Sequence, residues 1–236
     1  MISLNIIYGA AEVPDVQDLR NGFSRLNGKR RGRLDVRVFD GRHEDNLNAA
    51  LICPARVYLD IDCAAFTLSP AAFELHVSTA TARRIDVAEC FVRSLEHHFP
   101  HIGMVTEDIR CALQEAIANA VIHGNLGLNG ALRGSLTSLR VFAAMMEQRL
   151  NQPVYSRLPI TIGARLQRGC IAVSVEDCGQ GFDPDCVRPA DTPAAGGMGL
   201  SIMKRCSRKL VHSRCGRRVT MTFRTTDRSP DVPHRP

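Results

Sequence analysis

Apolar positions change period several times along the 236-residue chain. LNIIYG and RLDVRVFDG are short apolar runs of strand length, and VQDLRNGFSRL between them has helical spacing. HEDNLNAAL then reads as a helix and ARVYLDID as another strand. This alternation predicts a small α/β unit over residues 1–66. After the break at Leu68–Ser69–Pro70, FELHVS opens a second unit as a strand, and the stretch Ala80–His98 places Ile85, Ala88, Phe91, Val92 and Leu95 on one helical stripe. TEDIRCALQEAIANAVIHGN reads as a further helix, with Thr106, Glu107 and Asp108 at its start and Gly124–Asn125 at its stop. Its apolar stripe runs through Ile109, Leu113, Ile117 and either Ala120 or Val121. Glu115 and Asn119, four residues apart, share a different face of it.

The region 126–158 reads as a helical insertion. In it Leu136, Leu139, Ala143, Met146 and Leu150 recur at heptad-like spacing, so this helix packs on its own domain or offers its Met and Phe surface to a second copy or a partner. PITIGARL and CIAVSVED form a hairpin about Gln167–Arg168–Gly169, and its second strand delivers Asp177. GMGLSIMKRCSRKLV reads as a helix, GRRVTMTF as the last strand, and the polar, proline-rich residues 225–236 as a disordered tail.

Composition narrows the functional classes. Hydrophobic residues make up 44% of the chain, as in a globular protein. Absence of an 18-residue apolar run and of a basic region before the first apolar segment predicts neither a membrane span nor a secretory signal, hence a cytoplasmic protein. The net charge of +6 is concentrated in GKRRGR, KRCSRK and GRR. With three Tyr and no Trp for stacking, these runs read as solvated faces, and nucleic acid is not the expected partner. Nine cysteines, an odd number with no C-x2-C or C-x4-C pair, read as reduced, mostly buried thiols. His97, His98 and His101 read as surface residues at a helix end. Asp60 and Asp62 resemble half of a receiver-like acidic pocket, but no paired acids follow the first strand, so the N-terminal unit reads as structural or partner-docking.

The chemistry gathers further on. In VEDCGQGF a strand ends at Asp177, and Gly179 and Gly181 let the backbone pass close beneath a flat, hydrogen-bonding group. After the Pro- and Ala-containing loop RPADTPAAGG, Gly196, Gly197 and Gly199 precede a helix whose first amides are free to cradle phosphate. Each feature alone is weak. Their order, a helix with a carboxylate and an amide, an Asp-Gly strand end, a loop, a glycine-led helix and a last strand, supplies wall, base floor, lid and phosphate cradle.

These segments resemble the boxes of the GHKL ATPase superfamily, which includes histidine kinases, gyrase B and MutL. EAIANAVIHGN is similar to the N box, DCGQGF to the first glycine box, GMGL to the second and RVTMTF to the final box. FELHVS, HGN, GFDP and the short lid resemble the anti-sigma factor serine kinase branch, over about Phe73 to Arg224. The resemblance implies an α+β fold, a two-layer α/β sandwich with a mixed sheet covered by helices on one face, over residues 67–224. The N-terminal α/β unit and the 126–158 insertion are additions to the family pattern.

It also implies ATP and Mg²⁺ as ligands. Asn119 would hold the metal and Glu115 would act as general base toward an acceptor hydroxyl or water. Asp177 would accept from the adenine amino group, with Gly179 and Gly181 beneath the base and Thr220 completing the adenine contacts. Gly197, Gly199 and Leu200 would cradle phosphate, with His123 and Asn125 at the phosphate end. The implied activity is a serine/threonine kinase acting on a small regulatory protein of the anti-sigma antagonist kind, with a sigma factor as a further partner. A non-catalytic ATP-gated binding switch is the alternative.

Overall fold

The computed structural model describes residues 2–8, 32–63, 73–128, 136–167, 169–182 and 198–225. Eight strands form one sheet. In chain order they are β1 (Ile2–Tyr8), β2 (Gly32–Phe39), β3 (Val57–Asp60), β4 (Phe73–Ser78), β5 (Pro159–Gln167), β6 (Cys170–Glu176), β7 (Lys209–His212) and β8 (Arg218–Arg224), and the spatial order is β1-β2-β3-β4-β5-β6-β8-β7. The pairs from β1 to β4 are parallel and those from β4 to β7 antiparallel.

The helices are α1 (Glu44–Ile52), α2 (Thr79–Arg84), α3 (Val87–His98), α4 (Thr106–Asn119), α5 (Leu136–Leu150), the short α6 (Pro153–Ser156) and α7 (Met198–Cys206). None of them is long and apolar enough to cross a membrane. The main core lies between the helices and one sheet face: Leu75, Val77, Ile162, Val173, Val175 and Phe223 meet Phe91, Leu95, Ile109 and Leu113. This is the α+β sandwich expected from the sequence.

The N-terminal strands continue the same sheet. β3 pairs in parallel with β4, and Phe73 of β4 lies 5.0 Å from the Tyr58 ring and 5.3 Å from the Phe91 ring, one apolar cluster across the join. On the opposite face Val36, Val38, Val57 and Leu59 are also buried, so the parallel strands are covered on both sides. Asp60 ends β3 as an anchor: its carboxylate accepts from the Ser78 amide at 3.0 Å and from the Asp62 amide at 3.1 Å. The expected helix within residues 9–31 lies outside the described residues.

Four local readings change. The helix expected over Ala80–His98 is two helices, because Ser78 caps α2 and the Asp86 carboxylate caps α3 by accepting from the Glu89 amide, with Ile85 extended between them. The α5 seam runs through Phe142, Met145, Met146 and Leu150, while Leu139 and Ala143 are exposed, so this helix packs on its own domain. The last expected helix ends at Cys206, and Lys209–His212 form β7 instead, paired with Val219–Thr222. Thr225, placed in the tail, is buried and donates its amide to the Gly169 carbonyl at 3.0 Å; residues 226–236 lie outside the described residues. Among the described cysteines only Cys90 is buried, and Cys111, Cys178 and Cys215 are exposed. His98 is half-buried and bonds the Leu51 carbonyl at 2.8 Å.

Candidate nucleotide site

Glu115 and Asn119 are half-buried on α4, one turn apart, and both face the start of α7. A β-carbon on Gly199 would stand 2.6 Å from Glu115 Oε2 and 3.5 Å from Asn119 Nδ2. The N-terminal turn of α7 therefore lies against the carboxylate and the amide, and the missing side chain keeps that space free. Leu200, beside it, is half-buried against the core and orients the turn. Gly196 and Gly197 lie outside the described residues.

Beyond Asn119 the helix widens into a π-helical turn, Ala120–Asn125, in which the Leu126 amide reaches back to the Val121 carbonyl at 2.9 Å. This turn sets the backbone of Gly124 directly against the first glycine box. A β-carbon on Gly124 would fall 2.4 Å from Asp177 Cγ, and one on Gly179 would fall 2.5 Å from the Gly124 carbonyl oxygen. Two glycines thus allow the N box and the glycine box to touch along their backbones.

Asp177 is held at the end of β6 from several sides. Its amide donates to the Arg217 carbonyl at 3.1 Å, and its Oδ1 accepts from the Gly179 amide at 2.8 Å. Burial pushes its carboxyl up from 3.8 to about 6, only partly opposed by the Gly179 hydrogen bond and the Arg217 charge. Gly181, at φ +76°, packs so tightly against the β7–β8 turn that a β-carbon there would lie 1.9 Å from the Cys215 carbonyl oxygen. The neighbouring Phe182 amide donates to that oxygen at 3.2 Å.

Three expected residues stand elsewhere. Thr220 is in register with Ser174 of β6 and Val211 of β7, on the face opposite Met221 and Phe223, so strand alternation turns it away from Asp177. Arg217, just before β8, reaches Asp177 in its place. His123 is exposed, with Nδ1 2.7 Å from the Leu128 carbonyl. Asn125 is 3% exposed and turned inward: its Oδ1 accepts from the Cys178 amide at 2.7 Å, and its Nδ2 lies 2.8 Å from Thr79 Oγ1, 3.3 Å from the Leu158 carbonyl and 3.2 Å from the Pro159 carbonyl. The sequence signal for Asn125 is its place at the helix stop; the π turn that redirects it has no such signal.

The arrangement has the parts a nucleotide needs. A glycine-spaced helix start beside a carboxylate and an amide suits a phosphate chain and its counter-ion, and the fit of Asn119 to a metal rests on its amide lying beside that start. A fixed carboxylate above a glycine-paved turn suits a base with an exocyclic amino group. No group of three or more metal-ligating side chains occurs among the described residues, so a cation here would draw further ligands from the phosphates themselves.

A search of curated proteins finds no significant match. The family model for the histidine kinase-like ATPase domain matches residues 78–223, more than half of the chain and every described segment that builds this site. The chain therefore belongs to the histidine kinase-like ATPase domain family, and ATP is the ligand its fold implies.

Proposed function

We propose that this protein is an ATP-dependent serine/threonine kinase of the anti-sigma factor type, which phosphorylates a small regulatory protein and so controls a partner such as a sigma factor. The observation that carries the reading is the placing of Glu115 and Asn119 against the Gly199 end of α7. Phosphoryl transfer asks a protein mainly to position groups and neutralise charge. The first amides of α7 receive the phosphate chain, and Asn119 would hold Mg²⁺, which when bound would supply positive charge to offset that of the phosphates. Glu115 takes the proton from an acceptor hydroxyl as its oxygen attacks the γ-phosphorus, the bond to the bridging oxygen breaks and ADP leaves. Asp177 fixes the adenine end by accepting from its amino group.

The test is incubation with γ-labelled ATP, Mg²⁺ and a lysate of the source cells, comparing the wild type with Glu115→Ala. A labelled small protein, acid-stable and dependent on Glu115, supports the kinase and identifies its substrate by mass. Nucleotide bound with no label transferred sinks the kinase reading and leaves a switch that holds or releases a partner according to ATP occupancy.

A further inference from the structure

Asn125 is the most fully committed polar side chain among the described residues around the site, 3% exposed and turned inward. Its amide joins three segments distant in sequence: the amide of Cys178, directly after Asp177; the hydroxyl of Thr79, at the start of α2; and the carbonyls of Leu158 and Pro159, at the entry to β5. Thr79 is held in turn, its amide and hydroxyl both donating to the Leu158 carbonyl at 2.9 and 2.8 Å. One residue earlier the Ser78 amide donates to the buried Asp60 carboxylate at 3.0 Å. A continuous polar path therefore runs from the end of β3, through Ser78–Thr79 and Asn125, to the residue that follows Asp177.

We infer that Asn125 is a positioning residue, which fixes the direction of the Asp177 carboxylate by gripping the Cys178 amide and is itself held in place by Thr79. The inference deepens the ATP-binding reading above and rests on it for the ligand. Gly179 and Gly124 lack side chains that could brace the turn, and the exposed Cys178 offers only its thiol, 3.6 Å from the Pro159 carbonyl, so the buried end of the clamp is the Asn125 amide. Without it the amide directly after Asp177 loses this side-chain acceptor, and the carboxylate gains freedom to turn from the adenine edge.

The experiment is a double-mutant cycle on ATP affinity with Asn125→Ala and Asp177→Asn. Asn125→Ala is expected to weaken ATP binding about tenfold in the wild-type background and less than about twofold where Asp177 is already Asn, with turnover at saturating ATP changed less than about twofold. Equal losses in both backgrounds overturn the inference, because a general loss of structure acts regardless of Asp177. Should Asn125→Ala fail to fold, the near-isosteric Thr79→Val loosens the clamp from its far side and is judged by the same comparison.

A readout that needs no nucleotide separates this inference from the ATP reading. The carboxyl titration of Asp177, followed by carbon NMR and assigned with Asp177→Asn, should move from about 6 toward the ordinary carboxyl value in Asn125→Ala, as water reaches the released turn. An unmoved titration overturns the positioning role. A moved titration in a protein that binds no ATP leaves the positioning role standing and removes the ATP reading.

Discussion

Gly199 and Glu115 share one space: a methyl group on the first would stand 2.6 Å from Oε2 of the second. The atom it meets is the free end of a flexible side chain, so the fold can yield at little cost. Gly199→Ala is accordingly expected to leave thermal stability unchanged or slightly raised, since alanine costs less conformational entropy than glycine. Glu115 would be displaced, and with Glu115 in its proposed role as general base, turnover is expected to fall at least about tenfold. Phosphoryl transfer measured beside a melting curve checks both parts, and a variant of full activity would separate Gly199 from the chemistry.

Asp177 makes the site sensitive to pH. Burial raises its carboxyl to about 6, above the 3.8 of an ordinary aspartate. Between these values the folded chain holds a proton that the unfolded chain has released, so this group's contribution to stability is greatest below about 4, declines as pH rises to about 6, and is constant above that. Nucleotide binding runs the other way, because only the carboxylate can accept from an amino group without donating in return. ATP affinity is expected to fall as pH drops below about 6, approaching tenfold per unit, and the inflection should vanish in Asp177→Asn. Calorimetric titration from pH 5 to 8 on both proteins checks it.

Asn119→Ala is expected to remove the part of ATP affinity that depends on Mg²⁺ while sparing what remains in the presence of a chelator. The amide is beside the α7 start, whereas in the proposed reading Asp177 and the glycine turn hold the other end of the nucleotide independently. Titrations with and without Mg²⁺ should therefore differ in the wild type and coincide in the variant. A variant that keeps the full Mg²⁺ effect would remove Asn119 from the metal's coordination.

Gly181→Ala tests the glycine box as structure. The backbone there is left-handed, at φ +76°, and the added carbon would meet the Cys215 carbonyl oxygen at 1.9 Å. Left-handed geometry alone costs about 1–2 kcal/mol for a non-glycine residue, and the clash with main chain adds to it. A loss of about 2 kcal/mol or more corresponds to a fall in Tm of roughly 4–8 °C for a chain of this size. A melting curve indistinguishable from wild type would mean that the turn can adopt another path.

The parts of this site that were legible in the sequence are those set by local spacing. Glu115 and Asn119 share a face because a helix repeats every 3.6 residues, and Asp177 ends a strand whose alternation, Ile171, Val173, Val175, is plain. What was not legible depends on partners. Ile85 continues the helical stripe, but the Asp86 cap interrupts the helix beneath it. KLVH is as apolar as a helix end and becomes a strand only because β8 lies beside it. Thr220 matches the final box by residue type, yet its face is decided by the pairing of Ser174 with it. The role of Asn125 comes from a π turn and three remote segments, none of which its neighbours in sequence announce.

The N-terminal strands give the last prediction. The sequence reads residues 1–66 as a separate unit, which should then be removable. The fold argues otherwise: β4 depends on β3 for one edge, Phe73 packs on Tyr58, α1 is tied to α3 by the bonds of Ser94 and His98 to the Leu51 carbonyl, and Asp60 anchors the Ser78 amide. A chain shortened to residues 67–236 would expose a whole strand edge and one side of that aromatic cluster, features that favour association through unpaired backbone. It is expected to melt at a clearly lower temperature than the full chain and to form oligomers in sedimentation, while the full chain unfolds in one transition. A monomeric short chain with an unchanged melting temperature would show that the sheet, though continuous, is built from two independently stable parts.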